Sequence, residues 1–208
     1  MNINLQQLGK RYRYEWIFKD LSYTFEQGKG YAIMGGNGSG KSTLMQVLSG
    51  YLSPSKGSIS YQKAGNPINR EEVYQQLSFA APYIESLEDF TLREAIDFHW
   101  NFKNMYLSKK ELLARLEYPK SAYKKAIKFF SSGMQQRLKL ALAICSDTSL
   151  LLLDEPTITL DQTAIQWYLQ LLQDYAYQPD RLTIIASNVE EDFTGCQERL
   201  TLLDYKKN

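Results

Sequence analysis

The first third of the chain alternates apolar and polar positions. Ile3 and Leu5, then Leu21, Tyr23 and Phe25, are separated by polar neighbours, which predicts short half-buried strands within residues 1–33 and a turn at residues 26–30. Residues 31–34 read as a short apolar strand and residues 58–61 as another, entered from the turn Ser53-Pro54-Ser55-Lys56-Gly57.

From about residue 85 to residue 130 the pattern changes to helix. Thr91 with Glu94, and Ser108 with Glu111, have the spacing in which a hydroxyl caps a helix and an acid three residues on reaches back to the cap amide. Pro119 and Ser121 punctuate the way to a third segment, and a long helix is predicted over residues 133–145. In the last third, the apolar runs 150–153 and 182–186 read as buried strands on either side of a helix over residues 163–175. No repeat, linker or low-complexity tract interrupts the chain. One α/β core with an inserted helical subdomain is the reading.

Gly35-Gly36-Asn37-Gly38-Ser39-Gly40-Lys41-Ser42 satisfies G-x-x-x-x-G-K-[ST], followed by Thr43, and it lies between the strand at 31–34 and a helix opening at Ser42. Glycines let the backbone curl around a polyphosphate so that successive N–H groups and the helix N-terminus point at anionic oxygens. Lys41 then reaches the β and γ phosphates of ATP, and the Ser42 hydroxyl is a Mg²⁺ ligand. Asp154 and Glu155 end the buried run 150–153, where strand ends line the ligand crevice of an open α/β sheet. Two adjacent acids can divide the work, Asp154 orienting Mg²⁺ or its waters and Glu155 polarising a water that attacks the γ-phosphate.

A chain of 208 residues with 44% apolar and 23% charged side chains has the composition of one ordinary globular domain. Its net charge of +1 selects neither nucleic acid nor anionic lipid as a partner. Cys145 and Cys196 read as free thiols in a reducing cytosol. No secretory signal opens the chain and no apolar run is long enough to span a membrane.

With these motifs in place the chain resembles the nucleotide-binding subunit of ABC transporters over nearly its whole length. Phe130-Ser131-Ser132-Gly133-Met134-Gln135-Gln136-Arg137 is similar to the family signature, and Thr159-Leu160-Asp161 to the loop that follows the acidic pair. The resemblance implies an α/β P-loop NTPase core of ABC ATPase type, with a small N-terminal antiparallel β subdomain. Core and β subdomain would take residues 1–84 and 136–208, and the helical subdomain residues 85–135. It implies that Tyr12 stacks on adenine, with Tyr14 and Trp16 as rivals, and that Ser131 and the Gly133 amide face the ATP held by a second subunit. It also implies a membrane permease as partner, a homodimer or heterodimer of ATPase subunits, and a cytoplasmic location peripheral to the membrane.

The sequence departs from the family pattern in three places. Asn188 stands where the family has a His that contacts the γ-phosphate; an amide still donates a hydrogen bond but carries no charge. Tyr83 follows Phe79-Ala80-Ala81-Pro82 where a Gln usually touches Mg²⁺ or its water, leaving Tyr83 or Glu85 as substitutes. Ser132 and Met134 replace a Gly and the Gln of the signature. Catalytic roles are therefore expected of Lys41, Glu155 and Asn188, with binding expected to survive better than fast hydrolysis. A regulatory subunit that binds ATP and barely hydrolyses it is the alternative. A translation or DNA-repair ATPase is disfavoured because the chain has no room for tandem cassettes and no basic charge.

The lone His99 falls on a predicted helix over residues 92–106, beside Phe98, Trp100 and Phe102, and a structural role is expected of it. That helix offers two apolar stripes, one with Leu92, Ile96, His99 and Tyr106, the other with Ala95, Phe98, Phe102 and Met105. Packing inside the helical subdomain and docking of a membrane partner are both open. The lysines at 120, 124, 125 and 128 read as a solvated face.

Overall fold

The computed structural model describes residues 1–85 and 87–206. In chain order its main elements are β1 (Asn2–Tyr12), β2 (Glu15–Phe25), β3 (Gly30–Met34), α1 (Lys41–Leu48), β4 (Lys56–Lys63), β5 (Asn66–Ile68), α2 (Val73–Gln76) and β6 (Leu77–Ala80). They continue with α3 (Leu92–Trp100), α4 (Lys109–Leu116), α5 (Ser132–Ile144), β7 (Leu150–Asp154), α6 (Gln162–Leu171), β8 (Leu182–Ser187) and β9 (Glu198–Thr201).

Two sheets result, an antiparallel one ordered β2-β1-β4-β5 and a parallel one ordered β6-β7-β8-β3-β9. The central parallel strands β7 and β8 are buried at every position because both their faces are covered. Leu150 and Leu152 of β7 pack toward the antiparallel sheet with Ile3, Phe18, Phe25 and Ile33, while Leu151 and Leu153 pack toward α5 and α6. Along β1 the alternation slips by one residue between Leu5 and Leu8, both buried, at a bulge where Gln7 adopts φ 46. Both strands of this pair run 11 residues, longer than the apolar alternation alone predicts.

The two capping boxes form: the Thr91 hydroxyl accepts from the Glu94 amide while Glu94 accepts from the Thr91 amide at 2.8 Å, and Ser108 and Glu111 repeat the arrangement. The helix predicted over residues 92–106 stops at Trp100. Past it the backbone pairs with the segment after α5, the Tyr106 amide donating to the Cys145 carbonyl and the Asp147 amide to the Asn104 carbonyl. Met105 and Tyr106 therefore leave the predicted stripes, and only Leu92, Ala95 and Ile96 of the helix are buried. The helix expected over residues 163–175 likewise ends at Leu171 and relaxes into one π turn, Leu172–Ala176. Both cysteines are free, and burial pushes the Cys145 thiol up to about 12 and that of Cys196 up to about 11.

His99 serves the fold. Its Nε2 lies 2.8 Å from the Ser146 hydroxyl, which itself donates to the Leu142 carbonyl, so the imidazole Nε2–H donates to Ser146. Burial first, then the Lys103 charge, lowers its pKa from 6.5 to about 4. The folded value is the lower one, so this contribution is complete above pH 6.5 and is lost as the pH falls toward 4. The gap between 6.5 and about 4 is equivalent to about 3 kcal/mol. Thermal melts should show the parent losing stability between those pH values more steeply than His99→Gln, and parallel curves would refute the assignment.

Candidate functional site

Parallel register sets three strand ends side by side. Met34 of β3 pairs with Ser187 of β8, and Ala186 pairs with Asp154 of β7, so the loops leaving all three strands open on one edge of the sheet. The loop after β3 is residues 35–40, and α1 begins at Lys41. Gly40 takes φ 100, and a Cβ there would stand 2.5 Å from Ile17 Cγ2, so backbone angle and space both require glycine. At Gly36 and Gly38 a Cβ would meet nothing within 4 Å, which leaves the mouth of the loop open to a ligand.

A cavity of about 920 Å³ follows this loop from Asn37 to Thr43 and is closed by Ile17, Glu155, Thr157, Gln162 and Asn188. Lys41 is 5% exposed; its Nζ donates to the Gly35 carbonyl at 2.7 Å and lies 3.1 Å from Glu155 Oε1. The loop's cation is thus held by a neighbouring carbonyl and carboxylate. Glu155 adopts φ 45, an uncommon conformation for a residue with a Cβ, fixed by its amide donating to the Ala186 carbonyl at 2.8 Å.

Asp154 is fully buried, and neither carboxylate oxygen has a hydrogen-bond partner among the described residues. Burial raises its pKa; the hydroxyls of Ser42 and Tyr83 face it and partly offset that without closing a hydrogen bond. An orphaned buried carboxylate beside a hydroxyl suits a divalent cation, since a buried charge otherwise needs a partner. Among the described residues no three His, Cys, Asp or Glu side chains gather into a self-contained metal site. A cation here would complete its coordination with phosphate oxygens and water. Of the two candidates after β6, Tyr83 faces Asp154, whereas Glu85 is exposed and lines the cavity beside Leu87 and Phe98.

Asn188 reaches the phosphate loop directly, its Nδ2 donating to Asn37 Oδ1 at 3.3 Å. Ser131 is the N-cap of α5, its hydroxyl accepting from the Met134 amide at 3.2 Å, and Gly133 lies in the first turn. Neither lines the phosphate-loop cavity of its own chain. Gln136 ties this helix to the acidic loop, donating to the Pro156 carbonyl at 2.7 Å. Tyr12 ends β1 at 48% exposure with Lys10 over its ring, Tyr14 is 95% exposed, and Trp16 is flanked by Arg11 and Lys19.

Several residues of the site escaped the sequence reading. Ile17 is the member of the N-terminal segment that enters the cavity, and its alternation with Trp16 was the available signal. Thr157 and Gln162 follow from the loop after Glu155. Asp192 is fully buried behind Ser187, and no local pattern marks it, because the contact depends on a turn after β8.

A family model described as ABC transporter matches residues 18–158. The chain is 30% identical over 199 residues to the uncharacterized ABC transporter ATP-binding protein YclH of Bacillus subtilis (strain 168), covering 91% of this chain and 88% of that one. Its fold superposes on a putative ABC transporter ATP-binding protein from Pyrococcus furiosus with a TM-score of 0.82 at 23% identity, covering all of both chains. It also superposes on the dimeric post-hydrolysis state of the cassette MJ0796 bound to ADP and Pi, with a TM-score of 0.80 at 19% identity over 96% of this chain and 93% of that one.

Proposed function

The chain belongs to the ABC transporter family, and from that premise we propose that it is the ATP-binding subunit that powers a transporter, hydrolysing ATP at an interface of two such subunits and driving a separate membrane permease. The observation that carries this reading is the division of the site. Lys41, Glu155 and Asn188 surround one cavity, while Ser131 and Gly133 lie outside it and are available to a second copy.

ATP would lay its phosphates against the amides of residues 36–42 and the N-terminus of α1, with Tyr12 the candidate to stack on adenine. Lys41 would exchange Gly35 and Glu155 for the β and γ phosphates. Ser42 and Asp154 would hold Mg²⁺, which when bound neutralises phosphate charge. Glu155, freed from Lys41, takes a proton from the attacking water. Asn188 donates to a γ-phosphate oxygen in place of Asn37.

Among the described residues no helix is long and apolar enough to cross a membrane. Docking to a permease is supported by the exposed rings of Phe98 and Phe102, 4.8 Å apart, with Phe98 lining a cavity shared with Ile84 and Glu85. The chain would then work at the cytoplasmic face of the membrane.

Asn188 tests the hydrolytic part. It contributes a hydrogen bond but no positive charge where negative charge develops, and one such contact is worth on the order of 10² to 10³ in rate. Asn188→His should raise steady-state turnover of Mg-ATP with ATP affinity little changed. A rate equal to or below the parent at saturating Mg-ATP would count against this account.

A further inference from the structure

Behind Glu155 lies a second buried carboxylate that the hydrolytic scheme leaves unused. Asp192 is fully buried, follows β8 in a short turn, and its Oδ2 accepts from the Ser187 hydroxyl at 2.5 Å. The same Ser187 Oγ lies 3.3 Å from Glu155 Oε2 and accepts from the Val189 amide at 3.0 Å. Asp192 is anchored in turn, its carbonyl receiving the Tyr168 hydroxyl at 3.2 Å, while its Oδ1 has no partner among the described residues.

We propose that Asp192 and Ser187 are positioning residues for hydrolysis, acting through Glu155 and through the loop that carries Asn188. The inference rests on the hydrolytic reading above. A serine hydroxyl has one proton. At 2.5 Å from Asp192 against 3.3 Å from Glu155, that proton belongs to the Asp192 bond, which leaves an oxygen lone pair of Ser187 facing Glu155 Oε2. Once Glu155 has taken a proton from the attacking water, its carboxyl can donate to that lone pair.

Hydrolysis forms that acid. Water oxygen adds to the γ-phosphorus, the bond from phosphorus to the bridging oxygen of ADP breaks, and one water proton passes to Glu155. The protonated Glu155 donates to Ser187 Oγ until its proton leaves with inorganic phosphate. Ser187 thus gains, on the way to the transition state, a hydrogen bond from Glu155 that the ATP-bound ground state lacks. Its bond from the Val189 amide also fixes the backbone next to Asn188.

The experiment compares Ser187→Ala, Asp192→Asn and the double variant in the full chain, with kcat and KM from steady-state Mg-ATP hydrolysis and ATP affinity from calorimetry. Ser187→Ala is expected to lower kcat about tenfold while KM and affinity stay within about twofold of the parent. Asp192→Asn keeps a carbonyl oxygen to accept from Ser187 and should lose no more than about threefold. Added to Ser187→Ala, it should cost nothing further, because residue 192 reaches Glu155 through the Ser187 hydroxyl that the first change removes. A parental kcat in folded Ser187→Ala, a loss seen in KM instead, or additive losses in the double variant would each overturn the inference. A parent that binds Mg-ATP without turning it over would overturn the hydrolytic reading and this inference together, whereas an active parent with indifferent variants overturns this inference alone.

Discussion

Lys41→Ala should bind Mg-ATP at least on the order of 10²-fold more weakly than the parent and show no measurable hydrolysis, in a chain that still folds. Two effects add. The substitution removes the point charge that the β and γ phosphates require, and it leaves Glu155, now 3.1 Å from Lys41 Nζ, as an uncompensated negative charge facing the incoming phosphates. The fold should persist because the Lys41 ammonium bonds to the loop and to Glu155, while the underside of α1 is held by Leu44, Met45, Val47 and Leu48. Calorimetric titration with Mg-ATP, alongside a melting curve, measures both. Unchanged affinity in a folded variant would remove the central claim.

Glu155→Gln should lower turnover by about 10² to 10⁴, the range associated with losing a general base, without weakening ATP binding. The ion pair of Lys41 with Glu155 gives a sharper expectation. ATP must detach Lys41 from Glu155, and a neutral amide holds Lys41 less strongly than a carboxylate, so the variant's ATP affinity should rise. With ATP bound and hydrolysis stalled, the two-subunit complex should accumulate. Light scattering in Mg-ATP should then show a dimer, and adding Ser131→Arg should return it to monomer by crowding the opposite phosphates from the N-cap of α5. Glu155→Gln that stays monomeric with Mg-ATP, also when mixed with a partner ATPase subunit, would contradict a site shared between subunits.

Much of the architecture was legible because its determinants are local. The glycine-rich loop between an apolar strand and a helix, the hydroxyl and acid three residues apart at Thr91 and Ser108, and the mainly apolar runs of β7 and β8 each carry their conformation in a few adjacent residues. The short β5, β6 and β9 carry weak patterns, and they exist because neighbouring strands offer them partners.

Contacts between distant residues decided the rest. Helix α3 stops at Trp100 although apolar residues continue, because backbone pairing with residues 145–147 is available there and helix periodicity cannot register it. Arg181 reads as an ordinary charge in a turn, yet it is 1% exposed and donates to the carbonyls of Ala143, Ile144 and Tyr175, capping the C-terminus of α5 and the π turn after α6. Ile17 enters the nucleotide cavity where the aromatics Tyr12, Tyr14 and Trp16 drew attention, since the pleat of β2 against the phosphate loop selects which side chain faces inward. The sequence by itself determined which groups meet a polyphosphate, because a binding loop keeps its donors within eight consecutive residues. Which groups stand behind them, Ser187 and Asp192 behind Glu155 and Asn37 beside Asn188, was decided by the parallel register of β3, β8 and β7, a pairing of strands far apart in the chain.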